Sequence, residues 1–95
     1  MRVQWSAAAL RHLQSIYDHI ATDSAQYAGR VVDRITTKAA SLVTLPESGH
    51  FMPEVEDHNV REVFVGKYRL IYRIGDAITV LAVIHGARRI ESLEE

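Results

Sequence analysis

Six side chains between positions 61 and 89 could grip an anion or move a proton: Arg61, Arg69, Arg73, Arg88, Arg89 and His85. Arginine presents a fixed fork of donors that fits a phosphate or a carboxylate, and histidine exchanges its proton near neutral pH. Arg69 and Arg73 sit an even number of positions apart in an apolar run, so on a strand they project to one side. There they suit an acidic partner or a phosphate, or simply pair with Glu62. Arg88 and Arg89 follow a Gly86-Ala87 break and are expected at the surface, as partner contacts or as ordinary solvated charge.

The charges are segregated along the chain. Residues 61–89 hold six Lys or Arg against Glu62 and Asp76, a local +4, whereas residues 47–57 carry Glu47, Glu54, Glu56 and Asp57 with no Lys or Arg. The whole chain is nearly neutral, at −1 with a pI near 6.5. That balance argues against a protein that coats nucleic acid by bulk electrostatics.

Other chemistries fall away on residue type. With no cysteine, there is no disulfide, thiol nucleophile or Cys-based zinc site. His12 and His19 are seven apart on a helix, about 10 Å, too far to share one metal ion. His50 and His58 have no recognised ligand spacing and are expected in solvent. Phosphate-binding glycine loops, nucleophile elbows and HExxH motifs are absent from the sequence. No metal and no cofactor is expected.

The elements that must position these residues can be traced by period. Residues 2–5 alternate and read as a first strand. Ser6 can cap a helix over about 7–21, along which Leu10, Leu13, Ile16, Tyr17 and Ile20 form one apolar stripe. Asp23 with Gln26 three residues on resembles a capping box, and a second helix runs to about residue 44, where Pro46 stops it. Residues 45–59 contain both prolines and read as a crossing loop. Val60–Val65, Tyr68–Ile74 and 77–85 are rich in Val, Ile and Tyr, and the pairs Gly66-Lys67 and Gly75-Asp76 between them suit type II′ turns. The expected fold is α+β: an N-terminal strand, then an antiparallel helical hairpin packed on a small antiparallel sheet that ends in a three-strand meander.

Two-residue turns set the register. They pair Val63 with Leu70 and Leu70 with Leu81, so Val63, Val65, Tyr68, Leu70, Tyr72, Leu81 and Val83 take the helices. Arg61 and His85 fall on that side, Arg61 near Tyr72 as a structural ion pair and His85 as a structural histidine or a site member. Tyr17, Tyr68 and Tyr72 belong to the core stripe rather than to a base-stacking platform. The other side carries Glu62, Phe64, Lys67, Arg69, Ile71, Arg73, Ile78, Val80 and Ala82, a mixed basic and apolar surface expected to stay open and to bind something.

At 95 residues the chain fits one domain, residues 1–95, which hides only roughly 60 to 65% of its unfolded surface and gains from a partner. Its apolar runs stay far below the ~20 residues needed to span a bilayer, and its first residues are too few and polar for a signal peptide. A soluble, cytoplasmic protein with no membrane partner is expected.

The ordered runs Val60-Arg61-Glu62-Val63, Gly66-Lys67-Tyr68-Arg69-Leu70-Ile71-Tyr72-Arg73 and Val83-Ile84-His85-Gly86-Ala87-Arg88-Arg89, after two helices, resemble the strand motif of the RelE/ParE toxin superfamily. Leu45-Pro46-Glu47-Ser48-Gly49-His50 resembles that family's loop after the second helix. The resemblance implies the toxin half of a type II toxin-antitoxin (plasmid stabilisation) system, neutralised by a cognate antitoxin, as a homodimer or in a hetero-oligomer with it. RelE-like members cut messenger RNA on the ribosome; ParE-like members poison DNA gyrase. The nuclease members carry a basic pair before the YRLIY-type motif, an arginine within it, another after the last strand, and a terminal tyrosine or histidine. Arg69 and Arg88 fill the arginine positions, and His85 could act as a base. The basic pair, however, aligns with Glu62 and Phe64, and the terminal aromatic with Leu93 and Glu94. The departures lean toward a ParE-like toxin that works by binding, with Arg61, Arg69, Arg73, Arg88 and Arg89 as contacts to target or antitoxin. An endoribonuclease using Arg69, Arg88 and His85, and a degenerate non-toxic member, are the alternatives.

Overall fold

The computed structural model describes residues 1–87. Strand β1 is Val3–Trp5, followed by helices α1, Ala7–Ala21, and α2, Ala25–Ser41. A 3-10 turn at Pro46–Ser48 leads to β2, His50–Phe51. The meander is β3, Val60–Val65, β4, Tyr68–Ile74, and β5, Ile78–His85. The two helices pack on a five-stranded sheet in the order β1-β5-β4-β3-β2, the expected α+β arrangement.

Both helices begin where a short polar side chain can satisfy an orphan amide, a cap worth about 1 kcal/mol. The Ser6 hydroxyl accepts from Ala9 N at 3.0 Å, and the Ser24 hydroxyl from Tyr27 N at 3.1 Å. The second cap differs from the sequence expectation, which gave that role to Asp23. Ser24 holds extended φ/ψ and sits one residue nearer the helix, so Asp23 belongs to the turn between the helices. Beneath the pair, Ala9, Val31, Ile35, Ala39 and Leu42 meet Val63, Leu70, Tyr72, Ile78, Val80 and Val83 of the sheet. Leu10, placed by period on the buried stripe, is exposed, while its neighbours Leu13, Ile16 and Ile20 pack against the core.

The sheet is mixed rather than antiparallel, because β1 runs parallel to β5, with Val3 opposite Ile78 and Trp5 opposite Val80. Two residues of the presumptive crossing loop form β2, antiparallel to β3. The Gly66-Lys67 hairpin follows the sequence expectation: Val65 faces Tyr68, Val63 faces Leu70, and Gly66 takes a positive φ of 58°, as a type II′ turn requires.

The second hairpin does not. Ile74 pairs with Ile78, which leaves Gly75, Asp76 and Ala77 in the loop, and Gly75 has no positive φ. A bulge then shifts the register so that Tyr72 faces Val80, Ile71 faces Ala82 and Leu70 faces Val83 rather than Leu81. Leu81 is the extra residue. Ile78 and Val80 therefore move under the helices, and Leu81 moves to the opposite side.

That opposite side is covered. Residues 52–59 fold across it, and Met52 and Val55 pack with Val60, Ile71, Leu81, Ala82 and Ile84 in a second apolar cluster. The surface expected to stay open is instead the floor of a small second core, which explains why Val80, Leu81, Ala82 and Val83 are buried in succession along β5.

Candidate functional site

Arg69 stands on this second side of β4 and is only 8% exposed. Its Nε donates to Glu62 Oε1 at 2.6 Å, and its Nη2 lies 3.1 Å from Glu54 Oε2 in the covering segment. Glu62, on β3, is itself buried. The hydrogen bond to Glu62 keeps the guanidinium charged more firmly than an ordinary arginine; it outweighs desolvation, and Glu54 adds to it. Arg69 is thus a clamp between two strands and a loop. An incoming phosphate could reach it only after Glu54 had left, and Glu62 would still repel it.

Arg73, on the same side of β4, places Nε 3.7 Å from Asp57 Oδ2, and both groups are partly solvated. The covering segment is therefore pinned to β4 by two carboxylate-arginine contacts, through Glu54 and Asp57. The acidic stretch and the basic strands found in the sequence neutralise one another inside the molecule.

Arg61 holds the other end of the loop, with no carboxylate partner among the described residues. Its Nη1 donates to the carbonyls of Glu47 and Gly49 at 3.1 and 3.2 Å, and its guanidinium lies 4.3 Å from the centre of the Phe51 ring. The structural ion pair expected for Arg61 is replaced by carbonyl and ring contacts. Opposite it on β4, the buried Tyr72 hydroxyl donates to Pro46 O at 2.6 Å and accepts from Gly49 N at 2.9 Å.

His85 ends β5 on the helix side, exposed, with its ring edge-on to Tyr68 at 6.1 Å between centroids. Its Nδ1 accepts from Ala87 N at 3.2 Å. Tyr68 pairs with His85 and Arg69 with Ile84, so Arg69 and His85 project to opposite sides of the sheet. Arg88 and Arg89 lie outside the described residues. His50 and His58 are exposed as expected, His58 stacking obliquely on Phe51. Among the described residues, no group of three His, Asp or Glu is arranged to hold a metal ion, and no helix is long and apolar enough to cross a membrane.

Three contacts had no signal in the sequence: Glu54 on Arg69, the Tyr72 hydroxyl in the loop, and His12 on the sheet. His12 falls off the apolar stripe of α1, yet its Nδ1 accepts from Val83 N at 3.2 Å. Among the described residues, one open surface with an apolar lining lies beside the first hairpin. Phe64 is 57% exposed and, with Val65, lines a groove of about 500 Å³ against Asp33, Arg34, Thr37, Lys38 and Ser41 of α2.

Comparison with known proteins agrees with this architecture. Residues 3–90 match the family described as ParE toxin of type II toxin-antitoxin system, parDE. A toxin candidate of Sinorhizobium fredii, Y4kP, is 34% identical over 86 residues, spanning 88% of this chain and 86% of its own. Among solved structures, a chain of the chromosomal ParDE system from P. aeruginosa superposes with a TM-score of 0.75 at 24% identity, over 90% of this chain and 95% of its own. A chain of the RelBE2 toxin-antitoxin complex from Mycobacterium tuberculosis reaches 0.65 at 23% identity, over 88% and 95%. The helical hairpin, the late meander and the matched span together place the chain in the RelE/ParE superfamily, and it belongs to the family of ParE toxins of type II toxin-antitoxin systems.

Proposed function

We propose that this toxin acts in the ParE manner, by binding DNA gyrase and stalling it in the cytoplasm, and that a cognate antitoxin binds the toxin and silences it. The observation that carries the proposal is the state of Arg69, closed between Glu62 and Glu54 on one side of the sheet while His85 lies on the other. A nuclease site built from Arg69, Arg88 and His85 needs its cation and its base on one phosphate, and its two described members cannot meet there. Glu62 and Phe64 stand where the nuclease members carry cations, which points the same way. The antitoxin is supported by the solved relatives, which come from a ParDE system and a RelBE2 toxin-antitoxin complex. The exposed Phe64 beside its apolar groove supplies the kind of aromatic anchor that binding surfaces use.

The test is a gyrase supercoiling assay with the purified chain. Inhibition with accumulation of cleaved DNA complex is expected. Phe64→Ser should weaken that inhibition at least about tenfold while changing stability by less than about 0.5 kcal/mol, since the side chain is exposed. Unaltered supercoiling, with codon-positioned cuts in messenger RNA by primer extension that vanish in Arg69→Ala, would establish the ribonuclease alternative instead.

A further inference from the structure

The two-residue turn at Gly66-Lys67 makes Val65 and Tyr68 a hydrogen-bonded pair, and Val63 with Leu70 repeats it, so the amide and carbonyl of Phe64 point away from β4. On that outer edge β2 pairs with Arg61 and Glu62 and goes no further, because ahead of His50 the chain turns through Pro46–Ser48. Among the described residues, no strand lies beside Val63, Phe64 and Val65 there. Such an edge is a template for another strand. The groove of about 500 Å³ opens along the same stretch, since Phe64 and Val65 line it together with Arg34, Thr37, Lys38 and Ser41 of α2. We infer that this edge takes an extended acidic segment of the toxin's target, added to the sheet in the line of β2.

Charge selects the segment. Arg30, Arg34 and Lys38 recur every four residues along α2 and so form one row on its surface. Arg34 leans over the turn, its Nη2 standing 3.3 Å from where a Cβ on Gly66 would be. Asp33 is the one carboxylate among the described residues of the lining. A residue set opposite Phe64 shares its side of the sheet and packs on the ring, which is 57% exposed without it. The residues before and after it face α2, beside Arg34 and Lys38, where a carboxylate is attracted and a cation repelled. The pattern that fits is acidic, apolar, acidic.

Other occupants meet obstacles. A helix has its amides and carbonyls bonded internally and would leave those of Phe64 without partners. A second copy of this chain is blocked by its own β2: pairing Phe64 with Phe64 sets Gly66 opposite Glu62 of the other copy, where His50 already stands. A slender strand meets neither difficulty. The inference rests on the reading of Phe64 as the anchor for gyrase and adds the form and charge of what it grips.

The experiment adds a blocked peptide, Thr-Thr-Glu-Val-Glu-Thr-Thr, to the isotope-labelled full chain and follows amide exchange and chemical shifts. At saturation the Phe64 amide is expected to exchange at least about tenfold more slowly. An N-methyl group on the central valine removes the donor set against the Phe64 carbonyl and should weaken binding at least about tenfold. Arg34→Glu with Lys38→Glu should weaken it at least about fivefold and should favour the same peptide with lysine for both glutamates. In the supercoiling assay the unmethylated peptide should relieve inhibition. Equal binding of the methylated peptide, or no shift at Phe64 with about 5 mM peptide, overturns strand addition without any change to the chain. Self-association that the peptide breaks puts a second copy on the edge and overturns it too. Protection of Phe64 without relief of gyrase overturns the assignment to the target. A chain that binds the peptide and never inhibits gyrase sinks the gyrase reading while strand addition stands.

Discussion

Tyr72 ties β4 to the 3-10 turn with a single oxygen, donating to Pro46 O and accepting from Gly49 N. Glycine at position 49 is what lets the backbone come so close. A Cβ there would stand 2.5 Å from the Tyr72 hydroxyl and 2.9 Å from Glu62 O, closer than real contacts allow. Gly49→Ala should therefore cost about 1 to 3 kcal/mol in urea unfolding, the range for overpacking a tight site. Tyr72→Phe should cost about 1 to 2 kcal/mol by leaving the Gly49 amide and the Pro46 carbonyl unpaired. That second cost should depend on pH. Burial holds the Tyr72 hydroxyl pKa above the usual tyrosine value, so its contribution is full below the ordinary tyrosine range and is lost as the pH rises through the raised value. The stability gap between wild type and Tyr72→Phe should accordingly narrow under alkaline conditions; a gap that widens there would contradict the assigned bonds. Nothing in the sequence marks Tyr72 apart from Tyr68, since both fall on the helix-facing period. Only the packing separates a fully buried hub from a half-buried ring.

Among the elements, β3, β4 and the 52–59 segment are joined at Arg69, and removal of the cation would strand the buried Glu62 carboxylate. Arg69→Ala should destabilise the protein by about 3 to 5 kcal/mol, whereas Arg69→Met combined with Glu62→Leu should recover most of that loss. Under the binding reading, growth arrest returns with the thermal midpoint in the double variant. If the melting temperature recovers and arrest does not, Arg69 acts through its charge after all. The first hairpin was legible because Gly66-Lys67 offers one two-residue solution and Val63 and Val65 alternate with Glu62 and Phe64. Strand β5 was not, because Ile78, Val80, Leu81, Ala82 and Val83 are apolar at almost every position and show no phase from which a bulge could be read. The same continuity reflects a strand buried on both sides, which depends on Met52 and Val55 arriving from a segment with no period of its own. The arginines could be found by type and spacing. That Glu54 and Asp57 answer them could not, since charge complementarity at a distance in sequence carries no register.

For the whole molecule, a Cα radius of gyration of 12.8 Å is close to the ~12.4 Å expected of a compact chain of this length. Compactness is reached by joining the two ends of the sequence: Ser6 bonds to Leu81 across 75 positions, and β1 has β5 as its neighbour in the sheet. A chain ending at residue 77 should lack cooperative thermal unfolding by circular dichroism, although it keeps both helices and two strands of the meander, because β1, α1 and β4 each lose the strand they rest on. Such non-local pairing also sets timing. During synthesis β1 has no neighbour in the sheet until β5 has been made, so the sheet closes late and only once that strand has emerged. A message broken or a ribosome halted upstream of β5 should therefore release a fragment whose first strand has nothing to lie against.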